Sequence, residues 1–129
     1  MTTENNKIIA EFMGYIDNGC SEEGFLINPI TNFDEEINDL KYHNDWNWLM
    51  EVVEKIESLG YWTEICYSNL GTKTREGKIT WCEITKENHL DLFKDDCFTK
   101  IVRTEGSKKE AVYNACIEFI KWYNEQNKV

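Results

Sequence analysis

The sequence predicts an α+β fold, a two- or three-layer α/β sandwich in which three helices pack on a mainly antiparallel sheet of three or four strands. Two segments, residues 40–60 and 107–127, carry apolar side chains at spacings of three and four, which is typical of amphipathic helices. Between them lie short segments with the alternation of strands. With 129 residues, one proline and 41% hydrophobic residues, the chain is expected to form one ordered domain over residues 1–129.

The first predicted helix covers residues 4–13 and can stop at Gly14. Its apolar stripe consists of Ile8, Ile9, Phe12 and Met13. Residues 17–39 give a weaker pattern. The sequence FLIN is a short strand candidate that Pro29 would end, and the acidic stretch after it is expected to hold a further short strand or a helical turn.

The second predicted helix starts at Asn44 or Asp45, since either side chain can accept a hydrogen bond from the first free backbone N–H groups. Gly60 is suited to the left-handed conformation that ends a helix. The apolar stripe of this helix consists of Trp48, Leu49, Val52, Val53, Ile56 and Leu59. Its charged side chains are predicted to face away from the core: Glu51, Glu54, Lys55 and Glu57.

Three strand candidates follow the second helix: Tyr61–Ser68, 79–85 and 98–104. The polar stretch 69–78 suits a hairpin, and a helical turn is expected around residues 91–93. Trp62 and Trp81 lie on neighbouring strands and are predicted to pair across them.

The third predicted helix has the clearest local signal. Ser107 and Glu110 form a capping box, in which each side chain can satisfy a free backbone N–H group of the other residue. The apolar positions that follow, Ala111 to Tyr123, recur at helical spacing, and the helix ends in a polar tail.

The net charge of −10 is concentrated in the first half of the chain. Residues 1–60 contain 13 acidic and 3 basic side chains (3 − 13 = −10), whereas residues 61–129 contain 11 of each. With two arginines, Arg75 and Arg103, the chain lacks the clustered cations that nucleic acid or an anionic membrane requires. The acidic half either keeps the protein in solution, meets a basic partner or imitates the charge of nucleic acid.

The cysteines and the N-terminus predict a cytoplasmic protein with reduced thiols. The first residues lack the basic and apolar regions of a signal peptide, and no apolar run approaches the roughly 20 residues of a membrane span. Five cysteines at wide spacing, without a CxxC pair, predict neither disulfides nor a structural metal. Three of them lie among apolar neighbours and are interpreted as core residues: Cys66, Cys82 and Cys116.

Catalytic and cofactor motifs are not found. Neither His43 nor His89 lies in a nucleophile motif, and His43 is interpreted as a residue that caps or packs beside the second helix. Acidic pairs occur without the spacing of an EF-hand loop, and no glycine-rich phosphate cradle is present. We therefore expect a protein that is not an enzyme and that has no metal and no cofactor.

Three stretches together, IIAEFMGY (8–15), LKYHNDWNWLMEVVEKIESLGY (40–61) and residues 103–125, resemble a group of small phage and prophage proteins that are common in gut Bacteroidetes. Their order is similar to that of the phage ABA sandwich domain. The resemblance covers about half of the chain. It implies a phage or mobile-element origin and an α/β sandwich, and it supplies no catalytic residues. The acidic insert at 17–39 is longer than in simpler members.

The leading functional hypothesis is a non-enzymatic accessory protein of a phage or mobile element, acting in the host bacterial cytoplasm through a protein partner. That partner would be basic, and a homodimer is an additional alternative. Tryptophans lying off the main helical stripes and carboxylates on the second helix are the predicted partner-binding residues: Trp46, Glu51, Glu54 and Trp122.

Two alternatives from other classes remain open. One is a protein that binds a small nucleotide-like ligand between an aromatic ring and cations of the second half: Trp81, Lys100 and Arg103. The other is an enzyme that uses His43 and nearby carboxylates.

Overall fold

Three helices and two antiparallel sheets make up the part of the chain that the computed structural model describes, residues 2–17, 24–68, 79–87 and 98–127. The helices are Thr2–Phe12 (α1), Trp46–Ser58 (α2) and Lys108–Gln126 (α3). The strands are Phe25–Ile27 (β1), Asp34–Glu36 (β2), Tyr61–Ser68 (β3), Ile79–Glu87 (β4) and Phe98–Glu105 (β5). The predicted α+β class is confirmed, with a β1–β2 hairpin and a separate sheet in the order β3-β4-β5.

The predicted N-terminal caps of α2 and α3 and the glycines after α1 and α2 are confirmed, while α1 starts two residues earlier than predicted. Asp45 caps α2, its carboxylate accepting from the backbone N–H two residues on at 2.8 Å. Ser107 caps α3, its hydroxyl accepting from the N–H three residues on at 3.3 Å. Gly14 and Gly60 follow α1 and α2 with φ angles of +104° and +98°, which side chains other than glycine rarely adopt.

Helices α2 and α3 pack on one face of the three-stranded sheet. Helix α2 lies against β3, α3 lies against β4 and β5, and α1 packs on α3. The strand residues under these helices are buried: Cys82, Ile84 and Val102. We call the opposite face of the sheet the outer face. Within the described residues, none of the helices is long and apolar enough to span a bilayer.

The weakly patterned segment 17–39 contains both of its expected elements where it is described. Strand β1 ends at Ile27, two residues before Pro29, and β2 is followed by a 3-10 turn, Ile37–Asp39. Ile16 forms an isolated antiparallel bridge with Ile27, so the chain leaving α1 lies along the hairpin. The expected turns at 69–78 and 91–93 lie outside the described residues.

The register corrects one prediction about the sheet. Trp62 and Trp81 share the outer face, but Trp62 lies opposite Thr85 and Trp81 lies opposite Cys66. Four residue positions, about 13 Å along the strands, therefore separate the backbone positions of the two tryptophans. They do not form a cross-strand pair, because the register of β3 with β4 places neither tryptophan opposite the other.

Lys55 corrects a second prediction. Glu51, Glu54 and Glu57 are exposed as expected, but Lys55 is half-buried between α2 and the end of α1. Its ammonium group donates to the carbonyl oxygen of Phe12 and lies 4.6 Å from the centroid of the Phe12 ring. A cation at a helix C-terminus is favourable because the last carbonyl groups have no partner within the helix.

Two thiols in the core give a testable pH dependence. Burial raises the pKa of the Cys82 thiol from 9.0 to about 12, and burial also raises the pKa of Cys116. Above about pH 9 the unfolded chain therefore loses protons that the folded chain keeps, and the free energy of unfolding should fall as pH rises. Urea unfolding at pH 7.5 and pH 9.5 measures this difference.

The double variant Cys82→Ala, Cys116→Ala is the control for the pH effect. It should be less stable at both pH values, but its stability should fall less between them. An equal fall in wild type and variant would contradict the assignment to these thiols.

Candidate binding cleft

A cleft of about 490 Å³ lies between the chain leaving α1, the β1–β2 hairpin and the first two turns of α2. Its volume is within the roughly 300–1,000 Å³ typical of ligand sites. The residues that line it are Met13, Tyr15, Asn28, Pro29, Ile30, Glu35, Asp39, Tyr42, Asn47, Trp48 and Glu51. All of them belong to the acidic first half of the chain.

A hydrogen-bonded network fixes the polar wall of the cleft. The Tyr15 hydroxyl donates to Glu35 Oε2 at 3.3 Å, and Asn28 Nδ2 donates to Glu35 Oε1 at 2.7 Å. Asn28 Nδ2 also lies 3.4 Å from the Tyr15 hydroxyl oxygen. The Glu35 carboxylate is thereby held in place by groups from two other segments, so the cleft is organised before any ligand arrives.

The aromatic wall consists of Tyr42 and Trp48, whose rings meet edge to face with centroids 5.1 Å apart.

Burial, followed by the negative charge of Glu35, raises the pKa of Tyr15 to about 12. Burial, with the charges of Glu51 and Glu35 among the further causes, also raises the pKa of Tyr42. Both phenols are therefore neutral at physiological pH, and each keeps its hydroxyl proton.

The charge of the cleft has one sign. Glu35, Asp39 and Glu51 line it, and among the described residues that line it none is a lysine, an arginine or a histidine. Carboxylates and aromatic faces both attract cations. The arrangement is therefore chemically suited to an ammonium or guanidinium group.

Two exposed apolar side chains stand at the tip of the hairpin, Ile30 in the lining of the cleft and Phe33 outside that lining. Ile30 is 89% exposed and Phe33 is 74% exposed. The tip is a defined turn, because Asn28 Oδ1 accepts from the backbone N–H groups of Ile30 and Thr31 at 2.8 and 3.3 Å. Asn32 adopts a φ of +61°, a conformation that asparagine tolerates better than most residues. The turn thus presents apolar contact area next to a negatively charged site.

The predicted partner-binding residues do not come together in one place. Glu51 lines the cleft, whereas Glu54 is exposed on α2 and does not line it. Trp46 is half-buried near the start of α3, with Lys109 Nζ 6.0 Å from its ring centroid.

Trp122 is half-buried near the other end of α3. Its ring meets that of Tyr61 at 5.9 Å. Lys109 and Trp122 are 13 residues apart on the helix, about 20 Å along its axis. Trp46 and Trp122 therefore pack against opposite ends of the core, and their role toward a partner stays a prediction.

Sequence reasoning missed most of the cleft. Tyr15, Glu35 and Tyr42 belong to segments without a regular period. The helical stripe predicts Trp48 as a core residue only, whereas it is half-buried and also lines the cleft. Two signals were available: the charge excess of residues 1–60, and the isoleucine and phenylalanine that flank a polar turn after Pro29.

The residues of the ligand-binding alternative do come together, on the outer face of the sheet. The Arg103 guanidinium carbon lies 5.0 Å from the centroid of a Trp81 ring. Lys100 Nζ is 3.1 Å from Glu83 Oε1, and Arg103 is 3.4 Å from Glu105 Oε1. Both cations are already paired with carboxylates, which lowers the positive charge that a phosphate would meet.

Glu64, Cys66 and Glu83 also converge on the outer face, their ligand atoms lying within 4.8 Å of one another. Glu64 and Glu83 are directly opposite in the register, and the Lys100 ammonium offsets their repulsion. Burial, followed by these two carboxylates, raises the pKa of the Cys66 thiol. A bound cation would have to replace Lys100, so the cluster is explained as an ion-pair network. Cys66 is half-buried on this face and not a core residue as predicted.

His43 has a structural partner. Its Nδ1 lies 2.9 Å from Asn6 Nδ2, an amide nitrogen that can only donate. Nδ1 is therefore the acceptor, and the proton of the neutral ring is on Nε2. This contact holds His43, in the loop before α2, against α1, whereas the cap of α2 is Asp45.

Comparison of the chain with protein-family models, with curated proteins and with solved structures gave no match. The resemblance to the phage ABA sandwich domain therefore stays a prediction that rests on the residues quoted above.

Proposed function

We propose that this chain is a non-enzymatic binding protein that captures a basic segment of a protein partner in its cleft. The observation that carries the proposal is a cleft with three carboxylates and three aromatic rings, in which the lining residues that the structure describes include no cation. A lysine or arginine side chain in the cleft would meet Glu35, Asp39 or Glu51 and the half-buried rings of Tyr15 and Trp48.

The exposed hairpin tip defines a second feature of the partner. Ile30 and Phe33 offer apolar area next to the cleft, and exposed apolar groups beside a polar site are typical of interfaces. A segment that alternates basic and apolar residues would place its basic side chains in the cleft and its apolar side chains against the hairpin tip. In the cell this protein would act as an accessory factor of a phage or mobile element in the bacterial cytoplasm, as the resemblance implies.

The test uses a peptide of alternating lysine and leucine, titrated into the full chain by isothermal calorimetry. The double variant Glu35→Gln, Glu51→Gln should bind it at least about 10-fold more weakly than wild type, because both changes remove charge from the cleft. The matched control is Glu54→Gln, Glu57→Gln, which removes the same charge from exposed positions that do not line the cleft. The control should bind within about 2-fold of wild type.

Equal weakening in both double variants would mean that the peptide responds to the overall charge, and the cleft assignment would fail. Failure of wild type to bind would count against it as well. Replacement of Ile30 and Phe33 by serine should weaken binding without lowering stability, because both side chains are exposed.

A further inference from the structure

Asn28 uses both ends of its side-chain amide. The oxygen, Oδ1, accepts from the backbone N–H groups of Ile30 and Thr31 at 2.8 and 3.3 Å. Because these groups can only donate, the atom that faces them is the oxygen, and the amide nitrogen faces Glu35. There Nδ2 donates to Glu35 Oε1 at 2.7 Å and lies 3.4 Å from the Tyr15 hydroxyl oxygen. One amide group therefore contacts both the hairpin tip and the polar wall of the cleft.

The backbone of the hairpin fixes the position of this amide. The N–H group of Asn28 donates to the Phe33 carbonyl at 3.0 Å, and its carbonyl accepts from the N–H group of Asn32 at 2.9 Å. Leu26 lies directly opposite Glu35, so Asn28, two positions after Leu26, is on the same face of the hairpin as Glu35. With its backbone and side-chain polar groups bonded, Asn28 is set in position before a ligand arrives.

The contacts of Asn28 join the two parts of the surface that the proposed function assigns to the partner. Ile30 belongs to the apolar tip, and Glu35 is one of the three carboxylates of the cleft. A partner with a basic side chain in the cleft and an apolar side chain on the tip requires a fixed spacing between these parts. We propose that Asn28 is the positioning residue of this surface, and that its amide holds the Glu35 carboxylate at a fixed distance from the hairpin tip. The inference rests on the proposed function of the cleft.

The test is Asn28→Asp, which keeps an acceptor for the two N–H groups of the tip but replaces the donor to Glu35 by a carboxylate oxygen. Two adjacent carboxylates repel each other, so the variant should bind the lysine–leucine peptide at least about 5-fold more weakly than wild type at pH 7.5. This loss is expected although the variant carries one more negative charge. If Asn28 only formed the turn, the added charge would tighten the binding of a basic peptide.

Lowering the pH should restore binding by the variant. Two carboxylates in contact share a proton, which gives the pair the charge and the donor that wild type has there. The ratio of the dissociation constants of variant and wild type should therefore fall at least about 2-fold between pH 7.5 and pH 5. The other ionisable groups described in the cleft lining are unchanged: Tyr15, Asp39, Tyr42 and Glu51.

Asn47→Asp is the matched control. It makes the same change at another residue that lines the cleft, and Asn47 is exposed. This variant should bind the peptide at least as tightly as wild type at pH 7.5, because it adds a carboxylate to the cleft without placing it against Glu35.

A measurement without peptide separates this inference from the proposed function. The NMR signal of the Glu35 carboxyl carbon, followed between about pH 8 and about pH 5, should show an additional titration step in Asn28→Asp, at higher pH than any step in wild type, because the pair takes up a shared proton. In Asn47→Asp the same carbon should titrate as in wild type. Absence of the additional step in Asn28→Asp would overturn the assignment of Asn28 as the residue that holds Glu35.

Peptide binding by Asn28→Asp that equals or exceeds that of wild type at pH 7.5 would also overturn the proposal. So would a loss of binding that is unchanged at pH 5, which a damaged turn would produce, or an equal loss in Asn47→Asp. A wild-type chain that does not bind the peptide would count against the proposed function, and the NMR titration would then decide by itself whether Asn28 holds Glu35.

Discussion

Replacement of Phe119 by alanine is expected to lower the free energy of unfolding by about 3–5 kcal/mol, the largest effect of any single change considered for this fold. Phe119 is fully buried on α3. Its ring lies 4.8 Å from that of Tyr61 on β3 and 6.4 Å from that of Phe12 on α1. Truncation would leave a cavity where a strand and two helices meet. Urea unfolding followed by circular dichroism measures the loss.

Two further variants separate cavity formation from general damage to α3. Phe119→Leu keeps most of the volume and should cost clearly less than the alanine variant. Glu118→Ala changes the neighbouring exposed residue and should alter stability by less than about 0.5 kcal/mol. A cost below about 1.5 kcal/mol for Phe119→Ala would contradict the central position of this ring.

The second large effect is expected at Asn6, the buried polar residue of α1, which is 2% exposed. Its Oδ1 accepts from the Tyr113 hydroxyl at 2.8 Å, and its Nδ2 donates to the Leu40 carbonyl at 3.3 Å and to His43 Nδ1. One side chain thus joins α1, α3 and the loop before α2. Asn6→Ala should cost about 2–4 kcal/mol, because it leaves several polar groups in the core without a partner.

Asn114→Ala is the matched control for Asn6, since it makes the same change at an exposed position of α3 and should alter stability little. A double-mutant cycle with Tyr113→Phe measures the contact directly. Asn6→Ala and Tyr113→Phe should be non-additive by about 1 kcal/mol. Additive effects would show that the two side chains do not depend on each other.

Local signals in the sequence predicted the helices and the main sheet well. The stripe of α2, the caps at Asp45 and Ser107 and the glycines at 14 and 60 each act within a few residues along the chain. Such interactions do not depend on the rest of the fold, so pattern and capping chemistry suffice to predict them. Segment 17–39 was less readable because its strands have three residues each, too few for a period.

The errors arose where distant segments meet. Helical spacing predicts that Lys55 faces solvent. It carries no information about the end of α1, which lies beside Lys55 in the fold. Trp62 and Trp81 were expected to pair, although only the register of β3 with β4 decides which residues are opposite. Asn6 carries no sequence signal at all, since its partners lie 34, 37 and 107 residues away.

The sequence by itself determined the α+β class, the ends of the helices and the concentration of negative charge in the first 60 residues. These properties depend on composition and on neighbours along the chain. Only the tertiary structure decided that Tyr15, Glu35, Tyr42 and Glu51 line one cleft. Packing of α1, the hairpin and α2 brings these side chains together, and no period within one segment encodes a contact between segments.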